Sequence, residues 1–176
     1  MNTAIHQVFD AAQVELTLCE AVEHCTDTLL NASAHFQSLY TGDAVEEGQV
    51  TRLNEVEEPM IVAAIGFVGE VNGVAYLYFG QALAAHIAAQ MLGMDAESFA
   101  ENPDVLNDSI GEIANVVIGS YKNNLCDLGF ECRLTIPSIV RGSAFCIETS
   151  AEMERFFACF DLFDQTLVID LIVQPH

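Results

Sequence analysis

Apolar residues recur in the first fifth of the chain at the spacing of an amphipathic helix. The positions alternate steps of four and three residues and are Leu18, Val22, Cys25, Leu29 and Ala32. This spacing places them on one face of a helix, so we predict a helix over about residues 12–36. The acidic stretch at 40–58 has no periodic pattern and is expected to be irregular.

The next segment, "MIVAAIGFVGEVNGVAYLYFG", consists of two apolar runs around a short break at 69–73. The pair Asn72-Gly73 has the turn chemistry of a β-hairpin, and we predict one here. Leu83, Ile87 and Met91 then predict a short helix that ends near Gly93.

A second long helix is predicted to begin with Asn102 as its cap and Pro103 as its first residue. After Gly129 come four runs typical of strands. They are "FECRLTI" at 130–136, "FCIET" at 145–149, "RFFACFDL" at 155–162 and "TLVIDLIV" at 166–173. The last two are expected to form a hairpin through residues 163–165.

The order of these elements suggests two halves. A long helix, an irregular connection and an apolar hairpin occur at 12–80 and again at 104–173. We therefore predict one α+β domain over residues 1–176, with an antiparallel sheet, long helices packed on one face and pseudo-two-fold halves. An exposed edge strand of such a sheet can pair with a second subunit.

Charge and composition exclude several classes of function. The chain has 26 acidic and 5 basic residues, a formal net charge of −21, which argues against nucleic-acid binding and against an anionic membrane surface. The longest apolar run, 60–69, is too short to span a membrane, and the N-terminus lacks the features of a signal peptide. We expect a cytoplasmic protein. Its acidic residues either maintain solubility or attract a partner with a basic patch.

The six cysteines are scattered without a CxxC pair, and the five histidines show no metal-ligand spacing with them. Buried free thiols are expected rather than disulfides, and no metal site is predicted.

A polar ridge interrupts the second long helix. At about 100° per residue, one broad side collects Ile110, Ile113, Ala114, Val117, Ile118, Tyr121 and Leu125. The opposite side carries Asp108, Glu112, Asn115, Gly119 and Lys122, with Val116 at its margin. A glycine weakens a helix interior but allows another molecule to approach closely. The ridge is therefore a candidate contact surface.

Two structural explanations compete with that one. The sequence "SIGE" at 109–112 fits a capping box, in which Glu112 would fold back on a helix that begins at Ser109. Polar residues are also expected on the outer face of any amphipathic helix.

The stretch "GEIANVVIGSYKNNL", followed by "GFECRLTIPSIVRG", resembles the CheC/CheX/FliY family of bacterial chemotaxis phosphatases, most closely its CheX members. The family motif is E-x-x-N on a surface-facing helix, with an acidic residue or serine four positions earlier and a proline downstream. The matching positions here are Asp108, Glu112, Asn115 and Pro137. On the first helix Thr28 stands where a second motif needs glutamate, although Asn31 is present, so the chain resembles the single-site members.

The resemblance implies a CheC-like fold and a substrate, the aspartyl phosphate of a CheY-type response regulator. Asn115 is expected to orient the attacking water, and Glu112 to form a salt bridge with the regulator's active-site lysine. Asp108, Val116, Gly119 and Lys122 are expected to contact the partner. Asp108 is also expected to interact with the dipole at the helix start, and Pro137 to shape the loop after its strand.

The resemblance further implies a homodimer, with Mg²⁺ supplied by the phosphorylated regulator and no cofactor of the chain's own. The main alternative is a non-catalytic adaptor that binds a response regulator, or a flagellar switch component. A small-molecule binding domain is less favoured, because the sequence has neither a Gly-rich phosphate loop nor a His/Cys nucleophile pair.

Overall fold

The computed structural model describes residues 9–41, 59–100, 102–143, 145, 147 and 152–174. Within these residues the helices are α1 (Ala11–Cys25), α2 (Gln81–Leu92) and α3 (Pro103–Asp127), with a π-helical turn at Thr26–Leu30 and a 3-10 turn at Ala96–Ala100. The strands are β1 (Ala34–Thr41), β2 (Met60–Gly69), β3 (Asn72–Gly80), β4 (Cys132–Leu134), β5 (Ser138–Gly142), β6 (Glu154–Leu162) and β7 (Gln165–Gln174).

All the strands belong to one antiparallel sheet whose order reflects the two halves of the chain. The order is β1-β6-β7-β3-β2-β4, and β5 pairs with the same edge of β2 as β4 does, at a different position along it. The last hairpin strands of the two halves, β3 and β7, meet at the centre. β2 and β6 lie outside them, and β1 and β4/β5 form the two edges. The pseudo-two-fold α+β architecture expected from the sequence is thus confirmed.

The long helices pack on one face of the sheet, as predicted. Strand residues on that face include Ile61, Ile65, Leu77, Phe160 and Ile169, which join the buried residues of the helices in one large core. The opposite face is also apolar, because alternate strand residues point that way. Its buried residues are Met60, Val62, Tyr78, Phe157, Cys159 and Val168.

Both predicted hairpins are present. β2 and β3 pair along their length, and the backbone N–H of Gly69 donates to the Asn72 side chain at 3.2 Å across the turn. β6 and β7 are joined through Phe163 and Asp164, which have φ values of 55° and 58°. Two successive positive φ values are the geometry of the tight turn that matches strand twist.

The short helix also ends where the sequence predicts. Gly93 follows α2 with φ of 64°, and its N–H donates to the Ala89 carbonyl. This is a common way for a helix to end, because glycine adopts the left-handed conformation without steric cost.

The prediction of one helix over 12–36 is wrong at its C-terminal end. The α-helix ends at Cys25, and the π-helical turn ends at Leu30. Asn31 then takes a left-handed conformation (φ 46°), and β1 follows. Of the stretch predicted to be irregular, residues 40 and 41 belong to β1, and 42–58 lie outside the described residues.

The second half contains one strand that the sequence did not predict. The run at 130–136 forms strand only at Cys132–Leu134, and β5 occupies part of the segment "IPSIVRG". Residues 145 and 147 of the predicted strand "FCIET" are not in a strand, and the rest of that run lies outside the described residues. The runs at 155–162 and 166–173 correspond to β6 and β7, as predicted.

Candidate functional site: an exposed ridge on helix α3

Helix α3 begins and ends with clear local features. Pro103 occupies its first turn and Asn102 the cap position, as predicted. The Asn102 side chain does not cap the helix; it donates to the Ser98 carbonyl at 3.0 Å instead. At the other end, Gly129 has φ of 93°, and its N–H donates to the Cys126 carbonyl at 2.9 Å, which ends the helix in a glycine-dependent turn.

The predicted inner face of α3 is confirmed. Each of the seven apolar residues assigned to it is at most 2% exposed; they are Ile110, Ile113, Ala114, Val117, Ile118, Tyr121 and Leu125. Leu106 and Ser109 are buried as well. This burial fixes the rotation of the helix and therefore which side chains point outward.

The outer face carries the candidate site. We define the α3 ridge as Asp108, Glu112, Asn115 and Gly119. The first three are exposed and Gly119 is half-buried. Glu112 and Asn115 are three residues apart, so their side chains lie together on adjacent turns. Of the other predicted contact residues, Val116 and Lys122 are half-buried beside the ridge.

The capping-box explanation for Glu112 is wrong. Since α3 begins at Pro103, Ser109 and Glu112 both lie in the helix interior. The Ser109 hydroxyl donates to the Val105 carbonyl at 2.9 Å, a bond within the helix rather than a cap. The carboxylate of Glu112 therefore has no role at the helix start.

The predicted dipole role of Asp108 is also not supported by its position. The helix dipole acts mainly within the first turn, where the acidic residue is Asp104. Asp108 lies in the second turn and is exposed. Because Asp108 lies on the ridge, we interpret it as a residue that contacts a partner.

Helix α1 borders the ridge on one side. Burial, with a contribution from the nearby negative charge of Glu112, raises the pKa of the Cys25 thiol to about 12. Cys25 itself is only 1% exposed. Farther along, the Asn124 side chain donates to the Glu20 carboxylate at 3.3 Å. The two long helices are thus held side by side, with Glu112 at the outer edge of their contact.

The second edge of the sheet borders α3 on the other side. Arg141 of β5 donates to the Asn107 side chain and to the Pro103 carbonyl. Sequence reasoning did not identify Arg141 as a residue that holds α3, although it belongs to the quoted segment "IPSIVRG". Pro137 is half-buried between β4 and β5, where it follows its strand as expected.

Gly119 has no packing reason to be glycine in this chain. Apart from its chain neighbours and the helix's own backbone, no heavy atom of the described residues lies within 4 Å of the position a Cβ would take, and the same holds for Gly111. Glycine at this position weakens the helix without relieving a steric clash. Its lack of a side chain leaves space open at the ridge.

The ridge presents chemistry that another molecule can reach. A carboxamide both donates and accepts hydrogen bonds, and a carboxylate accepts them and pairs with a cation. In the part of the chain that the structure describes, no three His, Cys, Asp or Glu residues are grouped as metal ligands. No helix among the described residues is long and apolar enough to cross a membrane.

The sequence model of the family described as chemotaxis phosphatase CheX matches residues 61–161, which include the whole ridge. The chain belongs to the CheX family. No curated protein sequence matches this CheX family member.

Solved structures share the fold of this CheX family member. A CheX from Desulfovibrio desulfuricans is 17% identical with a TM-score of 0.73, over 92% of this chain and 99% of its own. CheX from Vibrio vulnificus is 21% identical with a TM-score of 0.69, over 94% and 99%. The CheX-CheY-BeF3-Mg²⁺ complex from Borrelia burgdorferi is 17% identical with a TM-score of 0.68, over 94% and 98%.

Proposed function

We propose that the chain accelerates hydrolysis of the aspartyl phosphate of a CheY-type response regulator, with the α3 ridge inserted into the regulator's active site. The observation that carries this proposal is the joint exposure of Glu112 and Asn115 on a helix whose opposite face is buried. A rigid helix backed by a core can present two side chains at a fixed separation, which insertion into another protein's site requires.

Asn115 orients the attacking water. Hydrolysis of an acyl phosphate needs a water in line with the scissile P–O bond, and catalysis of phosphoryl transfer consists mainly of positioning and electrostatic stabilisation. The Asn115 carboxamide can hold a water through its oxygen and its NH₂ group without changing its protonation. It removes no proton itself.

Glu112 fixes the docking position. A solvent-exposed carboxylate is a weak general base at neutral pH, so proton removal is a poor role for it. A salt bridge from Glu112 to the active-site lysine of the regulator uses its charge better, since a charge-assisted hydrogen bond sets both register and orientation.

The rest of the ridge and its borders complete the contact surface. The open space at Gly119 admits the partner's backbone, and Asp108 extends the acidic side of the ridge. Val116 and Lys122 contribute an apolar and a cationic contact at its margins. The family's solved complex with CheY, BeF3 and Mg²⁺ supports a partner of this class, and we assign the magnesium ion to the regulator.

We further propose that two copies of the chain associate. Family resemblance supports a homodimer, and the edge strands of an antiparallel sheet can pair with another chain. Sedimentation velocity of the purified chain over a range of concentrations tests this.

A single-turnover assay tests the phosphatase activity. A CheY-type regulator from the same genome is labelled with radioactive phosphate on its aspartate, and loss of label is followed with and without the chain. Faster loss with the chain supports the proposal. Binding of the phosphorylated regulator with an unchanged rate of loss would support the adaptor function instead.

A further inference from the structure

Two cysteines lie together at the C-terminal end of α3, away from the ridge. Cys126 is in the last turn of the helix and is half-buried, and Cys132 is the first residue of β4 and is 6% exposed. Both line a cavity of about 350 Å³, together with Lys122 and Arg133. The cavity therefore brings two thiols to one place, together with two cationic residues and one acidic residue, Glu131.

The backbone holds the two thiols next to each other. The N–H of Gly129 donates to the Cys126 carbonyl and that of Phe130 to the Leu125 carbonyl, each at 2.9 Å. This pair of bonds is a helix-ending motif that reverses the chain. β4 is then fixed by pairing with β2, which returns Cys132 to the helix it left, where both cysteines line the same cavity.

The surroundings give the two thiols different roles. Burial and the neighbouring Cys126 raise the pKa of Cys132, while Lys122 opposes them, so Cys132 remains a thiol. Cys126 is the more accessible of the pair and meets a dissolved oxidant first. Cys19 differs, because Glu15, Glu20 and Glu23 add to burial in raising its pKa.

We propose that Cys126 and Cys132 are a modification site, a dithiol that a peroxide converts into a reversible disulfide. Cys126 gives up its proton to solvent, and its sulfur attacks one peroxide oxygen, which breaks the O–O bond and forms a sulfenic acid; the hydroxide released takes up a proton and leaves as water. The Cys132 sulfur then attacks the Cys126 sulfur and displaces hydroxide, which leaves as a second water with the Cys132 proton. Two electrons pass from the sulfurs to the peroxide, and a small dithiol reductant reverses the reaction.

The bond would join the end of α3 to the first residue of β4 and close the turn at Gly129. It would form in the cavity that Lys122 lines, beside the proposed docking surface but outside the ridge. The inference uses neither Glu112 nor Asn115, so it stands or falls independently of the proposed function.

Tryptic mapping tests the proposal directly. Cleavage after Lys122 and after Arg133 yields the peptide 123–133, "NNLCDLGFECR", which contains these two cysteines and no other. The full chain is treated with hydrogen peroxide, blocked with iodoacetamide and digested. We expect this peptide to be lighter by two hydrogens and unalkylated, and to take up two alkyl groups after dithiothreitol.

Two variants make the test specific. Cys132→Ser should leave peptide 123–133 carrying added oxygen on Cys126 rather than the mass of a disulfide, whereas Cys19→Ser should leave the disulfide intact. Two alkyl groups on peptide 123–133 after peroxide treatment, or oxygen added to it while Cys132 is present, would overturn the proposal.

Discussion

Arg141 and Asn107 join the edge of the sheet to the helix that carries the ridge. The guanidinium group of Arg141 donates to the Asn107 side-chain oxygen from Nε at 3.0 Å and from Nη2 at 2.7 Å. Because β5 is paired with β2, these bonds fix the first turns of α3 relative to the sheet. Glu112 and Asn115 follow within about two turns, so the same contact helps to set their position.

Replacement of Arg141 should weaken this connection. Arg141→Met removes the hydrogen bonds to Asn107 and Pro103 but keeps an aliphatic side chain, and we expect a loss of about 1 kcal/mol in the free energy of unfolding. Urea denaturation measures it. Arg133→Met is the control, since Arg133 is also an exposed arginine of an edge strand. Equal midpoints for the two variants would contradict the anchoring role.

Gly111 and Gly119 of α3 both have space for a side chain, so replacing each with alanine distinguishes an effect on stability from an effect on binding. Gly119→Ala and Gly111→Ala should each raise the free energy of unfolding by up to about 1 kcal/mol, because alanine favours the helix and no neighbour among the described residues blocks its methyl group.

The same two variants should differ in their affinity for the phosphorylated regulator. Gly119→Ala places a methyl group on the ridge and should weaken binding, while Gly111→Ala should change it less. Titration of the regulator against each variant checks this. Tighter or unchanged binding by Gly119→Ala would show that close approach at this position is not needed.

A buried ion pair lies on the face of the sheet opposite the long helices, and its removal should change the stability strongly. Arg155 and Asp170 are 5% and 0% exposed, with 2.6 Å between Nη2 and Oδ2. Arg155→Met leaves a buried carboxylate without this cation, which should cost about 3–5 kcal/mol. The double variant Arg155→Met/Asp170→Leu should recover much of that loss. Urea denaturation of the original chain, the two single variants and the double variant measures these changes. A double variant no more stable than Arg155→Met would contradict the argument.

The Arg155→Met variant should also show a pH dependence of defined sign. Burial raises the pKa of the Asp170 carboxyl, and Arg155 acts in the opposite direction. Without Arg155 the folded state binds the proton of Asp170 more readily than the unfolded state does, so lowering the pH stabilises the fold relative to the double variant. The stability gap between single and double variants should therefore narrow as the pH falls from neutral. A stability difference that grows as the pH falls would contradict this argument.

The docking role of Glu112 predicts a change in salt dependence. Glu112→Ala should weaken binding of the phosphorylated regulator by about tenfold and make the affinity less sensitive to ionic strength, because one ion pair is removed. Glu97→Ala, a change at an exposed glutamate of the 3-10 turn, is the control. If both variants bind with the same affinity and salt dependence as the original chain, Glu112 does not dock onto a cation.

The sequence predicts local features of the fold well. The rotation of α3 follows from apolar residues that recur with the helical period, and the turn at Phe163 and Asp164 follows from the break between two apolar runs. The end of α1 could not be found this way, because Leu29 and Ala32 continue the helical spacing beyond the π-helical turn. β5 was missed because it is short and half-exposed, and its pairing with distant β2 is not encoded locally.

Of the candidate site, the ridge could be predicted but its surroundings could not. Glu112 and Asn115 are three residues apart in one helix, so their proximity is a local property. The contact of Arg141 with Asn107 joins segments 34 residues apart, and only the pairing of β5 with β2 brings them together.

The most direct test of the proposed mechanism is the single-turnover rate of regulator dephosphorylation by Asn115→Ala, measured beside Asn123→Ala. Asn123 is an exposed asparagine of the same helix outside the E-x-x-N motif. We predict that Asn115→Ala lowers the stimulated rate by about 100-fold or more while it still binds the regulator, and that Asn123→Ala retains the rate of the original chain. A stimulated rate that survives in Asn115→Ala would contradict the water-orienting role.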